Sequence, residues 1–165
     1  MNLDDTPLVM PDLVLQGSET REQYLETVFD HFCEDFVHNK VTIGGQRIGI
    51  ESKPWVNGKH RTFWHLISEG PVEPDRHVII ARCERIRWVR FMMENAPRFK
   101  TWRNVRGAER SLLIATHDFS YVVVLRQRKG YYYLWSAYTV EHISHREQMQ
   151  KEHDAYQAQK KALNG

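Results

Sequence analysis

Apolar residues recur at helical spacing near the start of the chain, between residues 19 and 40. Seven of them lie three or four residues apart along one side: Leu25, Val28, Phe29, Phe32, Cys33, Phe36 and Val37. Cap-type residues at 18–20 come just before this run. The pattern predicts an N-terminal helix with an acidic outer face. The proline-containing residues 1–18 are predicted to form an extended lead-in.

Short apolar runs in the middle of the chain predict strands and one further helix. Residues 41–43 and 47–51 flank a Gly-Gly turn, which predicts a hairpin. The stretch TFWHLIS, residues 62–68, predicts a short strand. An apolar stripe at 100° spacing predicts a helix over residues 76–95, followed by a basic loop over residues 98–110.

The last third of the chain is rich in Val, Tyr and Trp, which suit pleated surfaces. Three predicted strands, at 111–116, 120–127 and 131–140, form an antiparallel meander. In the last strand, strict alternation places Tyr131, Tyr133, Trp135, Ala137 and Thr139 on one face. A polar helix over residues 144–162 has little apolar face and is predicted to pack loosely.

This order of elements predicts one α+β domain spanning residues 1–165, with an antiparallel sheet of about four to five strands and helices packed on one face. Its core is expected over residues 41–143, with a polar helix and tail from residue 144 to 165. The other face of the sheet is expected to be a binding surface, because polar and aromatic residues alternate along it. The sequence shows no repeat or internal domain boundary.

Positive charge is concentrated in residues 82–110, which carry nine Arg or Lys against three Glu, while the whole chain has a net charge of +2. Aromatic residues are interleaved with these charges, a pattern typical of phosphate-rich partners. The stretch therefore predicts nucleic-acid contacts from Arg90, Arg98, Lys100, Arg103 and Arg106. The alternative is a solvated basic surface. Residues 1–40 have a balance of −7 and are expected either to shield the basic stretch or to lie on another face.

Several classes of chemistry lack their motifs. The two cysteines lie 50 residues apart and there is no CxxC or HExxH, so a zinc site is not expected. His142 and His145 are predicted to share a helix face, and surface histidines are preferred to metal ligands. Without a GxGxxG or P-loop, no cofactor is expected. No apolar run approaches a membrane span, and the expected location is the cytoplasm.

Lys, His, Arg, Tyr and Thr remain as candidate functional residues, and together they suit metal-free RNA cleavage. In that reaction a base deprotonates the 2′-hydroxyl, which attacks the adjacent phosphorus, while an acid protonates the leaving 5′-oxygen. Arg or Lys stabilises the charge that builds on the phosphate. Each candidate also has a structural interpretation, such as a histidine hydrogen-bonded in the core or an arginine in an ion pair.

Four strings, FWHLIS, RCERIRW, DFSYVVVL and YYYLWSAYTVEH, resemble phage- and mobile-element-associated proteins grouped with the barnase, EndoU, colicin D/E5 and RelE type of RNase fold. The resemblance spans about residues 41–152. It implies a metal-independent endoribonuclease or toxin-like activity on RNA, for example tRNA, and an inhibitor or immunity protein as a further partner.

The resemblance also implies roles for individual residues. His65 is the general base or acid, and Arg82 holds the scissile phosphate with help from Arg85. A hydroxyl of Tyr138 or Thr139 orients a phosphate oxygen. Lys59 and His60 are second-rank candidates. The alternative functions are a non-catalytic nucleic-acid-binding or regulatory protein of a mobile element, and a structural protein that binds a partner through its terminal helices.

Overall fold

The computed structural model describes residues 6–164, and the first five residues of the predicted lead-in lie outside them. The described part contains five α-helices: α1 (Arg21–Phe32), α2 (Arg61–Ile67), α3 (Ile80–Glu84), α4 (Ile86–Glu94) and α5 (Ile143–Asn164). It also contains eight strands: β1 (Thr42–Ile43), β2 (Gln46–Gly49), β3 (Ser68–Glu69), β4 (His77–Val78), β5 (Lys100–Arg106), β6 (Glu109–Ala115), β7 (Tyr121–Arg128) and β8 (Tyr131–Thr139). A π-helical turn, Cys33–Val37, extends α1.

Six strands form one sheet in the order β1-β2-β8-β7-β6-β5, and β3 pairs with β4 as a separate ribbon. The neighbours in the main sheet are antiparallel except for β2 and β8, which run parallel. The predicted α+β fold with an antiparallel sheet and packed helices is confirmed. The sheet has slightly more strands than expected because β5, in the stretch predicted as a basic loop, pairs with β6 at one edge.

The first face of the sheet packs against α1 to α4 and forms the main core. Alternate residues of the central strands point into it, including Ile114, Val123 and Leu125, all fully buried. The helices contribute fully buried side chains such as Phe32 and Met92. Period-2 alternation in the strands and the helical stripe of α1 therefore meet at one apolar layer, as the sequence predicts.

The last helix, α5, lies on the second face of the sheet rather than with the others. It covers a smaller cluster around Trp102, Phe119 and Met149. The sequence predicts loose packing here because apolar residues in α5 are few. That expectation is wrong at one point, because Trp102 is 1% exposed and its indole donates to Glu152 of α5. One large aromatic ring supplies the contact that a stripe of small apolar residues would otherwise make.

The stretch TFWHLIS forms helix α2, not the predicted strand. Its buried apolar residues Phe63, Leu66 and Ile67 lie three and four residues apart, which is the helical period. Aromatic composition favoured a strand, whereas the spacing fits the observed helix. The strand begins only at Ser68, where the chain pairs with β4.

The predicted helix over residues 76–95 is divided into strand β4 and helices α3 and α4. At Arg85 the backbone leaves the helical region, with φ −100° and ψ 16°. The basic stretch after it is not a loop, because β5 and β6 form a hairpin with Gly107 at φ +61° in its turn. Trp102 is the buried residue of β5, and most of the other residues in this strand are charged or polar. The sequence therefore shows no clear alternation of apolar and polar residues here.

The predicted faces of β8 hold only for its first half. A β-bulge shifts the register opposite Val124 and Leu125, so that Leu134 pairs with Leu125 and Ser136 with Val124. Before the bulge, Tyr131 and Tyr133 lie on the second face, and Trp135, the unpaired residue of the bulge, lies on that face beside Arg126. After it, Ala137 belongs to the core of the first face and Tyr138 packs with the α5 cluster. Ala137 and Thr139 therefore do not share a face with Tyr131.

The extended residues after position 6 lie along α3 and α4. The Trp88 indole donates to the carbonyl of Pro11 at 2.9 Å, and the Val14 amide donates to the carbonyl of Glu84 at the end of α3 at 2.9 Å. The N-terminal segment thus contacts α4 at Trp88, and Glu34 and Asp35 of the π-helical turn form ion pairs with Arg87 of α4, so part of the acidic region lies against part of the basic stretch. Among the helices of residues 6–164, none combines the length and apolar character needed to span a membrane.

Candidate nucleic-acid interface and active site

The half of the second sheet face that α5 leaves uncovered carries polar and aromatic side chains. The same strands that bury Trp102, Leu113 and Val122 under α5 carry polar side chains further along. A groove of about 300 Å³ lies there against α5. Its lining includes Asn104, Arg106, Arg126, Trp135, Tyr138 and His145. The groove therefore combines guanidinium groups, aromatic rings and one exposed imidazole.

A second cavity, of about 280 Å³, lies beside this groove. Arg82, Thr139, His142 and His145 line it together with Glu69 and Glu141. His145 lines both spaces, so it stands between the open groove and the Arg82 cavity. His142 and His145 are both exposed and lie at the N-terminal end of α5.

Arg82 is held rigidly at the cavity. Its guanidinium donates to the carbonyl of Ser68 at 2.9 Å and to the carboxylate of Glu69 at 3.1 Å, and it lies 5.7 Å from the centroid of the Tyr138 ring. Burial lowers the pKa of Arg82 from its ordinary value, and the nearby Glu69 carboxylate opposes this. Within residues 6–164, Nε of Arg82 is buried without a hydrogen-bond partner. One donor of this cation is therefore still unsatisfied.

Tyr138 lines the groove and contacts two residues of the Arg82 cavity, Arg82 and His145. Its ring stacks on the imidazole of His145, with centroids 6.3 Å apart and planes at 21°. Burial raises the pKa of the Tyr138 hydroxyl above its usual value, so the phenol keeps its proton and remains a hydrogen-bond donor. Thr139 and Tyr138, predicted together with Arg82, are thus brought to the same region by the end of β8.

His65 lines neither the groove nor the Arg82 cavity, although it contacts Trp135 of the groove. Its Nε2 is 2.8 Å from the carboxylate of Glu73, and its ring meets Trp135 edge-on at 5.0 Å. The residue is 8% exposed, and burial lowers the pKa of its imidazole. Arg82 and Thr139 line a cavity that His65 does not line. The predicted convergence of His65 with Arg82 in one cleft is therefore not observed.

Three further candidates from the sequence are placed elsewhere. Arg85 donates to the carbonyl of Ala81 and stacks over Trp88, beside the N-terminal segment. Lys59 is buried and forms an ion pair with Glu26 of α1. His60 packs against Phe29, Phe32 and Trp55, and burial lowers its imidazole pKa. These contacts give all three residues structural roles.

Among the predicted phosphate-binding residues, some are held by contacts within the protein and one lines the groove. Arg90 donates to the carbonyls of Asp35 and Asn39 and pairs with Glu94, while Arg98 donates to the carbonyl of Thr6. Arg103 contacts the Tyr132 hydroxyl on the first face, and Lys100 begins the edge strand β5. Only Arg106 of this set lines the groove, where its side chain is 73% exposed and pairs with Glu152.

Comparison with known proteins adds no relative to this description. No protein-family model matches the chain, and searches of curated proteins and of solved structures found no match. The resemblance to the RNase fold group, with its phage origin and inhibitor partner, therefore stays a prediction. In the part of the chain that the structure describes, no three His, Cys, Asp or Glu side chains are placed to share a metal ion.

Sequence reasoning missed Arg126 and undervalued His145. The signal for Arg126 was its position in β7, two residues beyond Val124, which places it on the same face as Trp135 of the neighbouring strand. The signal for His145 was its place in the first turn of a helix that follows directly on β8. Local sequence gives no direct indication that this helix returns across the second face.

Proposed function

We propose that this protein is a metal-independent endoribonuclease that holds single-stranded RNA in the groove beside α5 and cleaves it next to His145. The 2′-hydroxyl attacks the adjacent phosphorus, a new P–O2′ bond forms and the P–O5′ bond breaks. The products are a 2′,3′-cyclic phosphate and a 5′-hydroxyl. A base takes the proton of the 2′-hydroxyl, and an acid supplies one to the leaving oxygen.

The residues around the Arg82 cavity match these requirements. Imidazole is the side chain best suited to proton transfer near neutral pH, and His142 and His145 line the same space. The fixed cation of Arg82 stabilises the charge that develops on the phosphate, because its position is set before substrate arrives. The hydroxyl groups of Tyr138 and Thr139 supply hydrogen-bond donors for phosphate oxygens.

The observation that carries the proposal is that one exposed imidazole, His145, borders both a groove with arginine and aromatic side chains and a cavity with a buried arginine. RNA in the groove would bring its phosphate to the cavity. Bases would stack on the aromatic rings, and the guanidinium groups of Arg106 and Arg126 would contact the backbone.

The test is cleavage of single-stranded RNA by purified protein in the presence of EDTA. We expect fragments that end in a 2′,3′-cyclic phosphate, and we expect His145→Ala to reduce kcat by about a hundredfold or more. The matched control is His38→Ala, because His38 is an exposed histidine at the end of the π-helical turn, away from the groove. The same loss in both variants, or cleavage abolished by EDTA, would contradict the proposal.

A second function is favoured by the position of His65. The resemblance makes His65 the general base or acid, but this histidine is paired with Glu73 and does not line the Arg82 cavity. In this alternative the protein binds RNA without cleaving it. The same groove would act as the binding surface of a regulatory protein. RNA binding that survives His145→Ala, together with no cleavage by the wild type, would select this alternative.

A further inference from the structure

Three aromatic side chains of β8 on the second face of the sheet each have at least one arginine guanidinium near the ring. Cζ of Arg47 lies 5.4 Å from the Tyr131 centroid, and Cζ of Arg128 lies 5.8 Å from the Tyr133 centroid. Trp135 has two such partners: Cζ of Arg126 is 3.5 Å and Cζ of Arg61 is 5.6 Å from its ring centroid. We call these seven residues the arginine–aromatic row.

The row has a regular spacing set by the strand. Tyr131 and Tyr133 are displaced by two residues along the strand, or about 6.6 Å, and the ring centroids of Tyr133 and Trp135 lie 6.2 Å apart at the bulge. Gly49 of β2 makes room for the first ring, because a Cβ there would lie 3.2 Å from the ring of Tyr131. The rings therefore form a continuous line from the start of β8 to Trp135.

The row ends at the groove of the proposed active site, since Trp135 and Arg126 line that groove. It carries four positive charges, and its direct carboxylate partners are Glu73, which pairs with Arg61, and Glu109, which pairs with Arg126 and Arg128. Arg47 at the outer end is exposed. The balance leaves a net positive line, and arginine contributes both a charge for phosphates and a flat surface for bases.

A purely structural role accounts for part of this arrangement, because cation–π contacts stabilise a sheet surface. It does not explain why α5 covers the apolar half of the face and leaves the charged half open as a groove. Within residues 6–164, this half of the face places guanidinium groups from β2, β7 and α2 over the rings of β8. Positive charge combined with aromatic rings is the pattern of single-stranded nucleic-acid platforms.

We propose that the arginine–aromatic row is a second RNA subsite, which binds the nucleotides that extend from the groove toward β2. Bases stack on the guanidinium planes and rings, and Arg47 and Arg128 contact phosphates. The substrate is then a single strand several nucleotides long, because a duplex presents no unstacked bases to such a row. This inference rests on the proposed function only in assuming that RNA occupies the groove.

The experiment measures binding of fluorescent 2′-O-methyl oligoribonucleotides of about four and about twelve nucleotides, since OB-type sites for single strands cover this range. These probes lack the attacking hydroxyl, so the result does not depend on cleavage. We expect Arg47→Ala and Tyr131→Ala each to weaken binding of the longer probe about fivefold and that of the shorter probe less than twofold. For Arg47→Ala, the slope of log affinity against log salt concentration for the longer probe should also become shallower by about one.

Two controls separate charge from position. Arg21→Ala removes an exposed arginine on α1, on the opposite side of the sheet, and should leave both affinities unchanged. Arg128→Lys keeps the charge but removes the flat guanidinium, so it should weaken longer-probe binding more than it changes the salt slope. Equal losses for both probes, or an equal effect of Arg21→Ala, would overturn the row as a subsite.

Failure of the row and failure of the proposed nuclease are distinguishable. Wild-type cleavage together with unaltered binding in the row variants overturns the row alone. Length-dependent binding without any cleavage supports the row and overturns the nuclease. If the wild type binds neither probe at low salt, where phosphate contacts are strongest, both are overturned.

Discussion

The guanidinium of Arg82 and the carboxylate of Glu69 lie 3.1 Å apart, and both line the cavity that holds His145. Their environments differ, because the Arg82 side chain is 11% exposed and that of Glu69 is 61% exposed. The arginine is fixed by the carbonyl of Ser68, whereas the glutamate is the outer partner. An incoming phosphate would therefore compete with Glu69 for Arg82.

Replacing Glu69 by glutamine should remove this competition. We expect Glu69→Gln to bind RNA about two- to fivefold more tightly than the wild type, which matches the small free energy of an exposed ion pair. The comparison is Glu141→Gln, which neutralises a second carboxylate of the cavity without touching the Arg82 ion pair. Anisotropy titrations at two salt concentrations measure both. An identical gain in both variants would indicate only a change in net charge.

Arg90 and Arg106 should show opposite effects when each is replaced by alanine. Arg90 binds two backbone carbonyls that end the first helical segment, so we expect Arg90→Ala to lower the free energy of unfolding by about 1.5–3 kcal/mol with unchanged RNA affinity. Arg106 is 73% exposed in the groove, so we expect Arg106→Ala to weaken RNA binding with little loss of stability. Urea unfolding and RNA titration of both variants provide the check. RNA affinity that falls equally in both would contradict this assignment.

The parts of the fold that followed from sequence are those where one periodicity dominates. The helical stripe that ends in Phe32 and the alternation through Val123 and Leu125 both appear where the sequence places them. The strand predicted for residues 62–68 was wrong because aromatic composition and helical spacing indicated different structures. Burial of Phe63 and Leu66 on one side favoured the helix. Local patterns are reliable here when composition and spacing agree.

The candidate site was harder to predict because it depends on long-range placement. Arg82, Tyr138 and Thr139 were predicted together and do meet near one cavity. His65 was grouped with them through the string FWHLIS and a predicted strand there, yet this stretch forms α2, which directs the imidazole to Glu73. The histidine that lines the cavity is instead His145, because α5 packs across the second face. No local pattern in residues 143–164 specifies that return.

The stability of the fold should decrease below about pH 6.5, where histidine in the unfolded chain becomes protonated. Burial lowers the pKa of His65, so the native state resists a proton that the unfolded state accepts; His60 acts in the same direction. Burial favours a raised pKa for Glu73, but hydrogen bonds from His65 and Arg61 outweigh it and lower that pKa. Its contribution is therefore present above about pH 4.5 and is lost below it.

Replacing His65 by glutamine should reduce the loss of stability below about pH 6.5. We expect the wild type to lose more free energy of unfolding between about pH 7 and about pH 5.5 than His65→Gln does, measured by urea unfolding at each pH. His38→Gln serves as the control, because His38 is exposed and should keep the wild-type dependence. A pH dependence that is the same in all three proteins would mean that His65 is not the group responsible.

Trp102 should determine whether α5, and with it His145, stays on the sheet. The ring is 1% exposed, packs against Phe119 and His153, and donates to Glu152 at 3.1 Å. We expect Trp102→Ala to lower the free energy of unfolding by about 3–5 kcal/mol and to make α5 the first segment cut in limited proteolysis. Trp55→Ala, at a site that is 51% exposed, should cost about 1 kcal/mol or less and leave α5 protected. Because His145 borders the groove only while α5 is docked, RNA affinity should fall with Trp102→Ala and not with Trp55→Ala; equal affinities would separate the binding site from this helix.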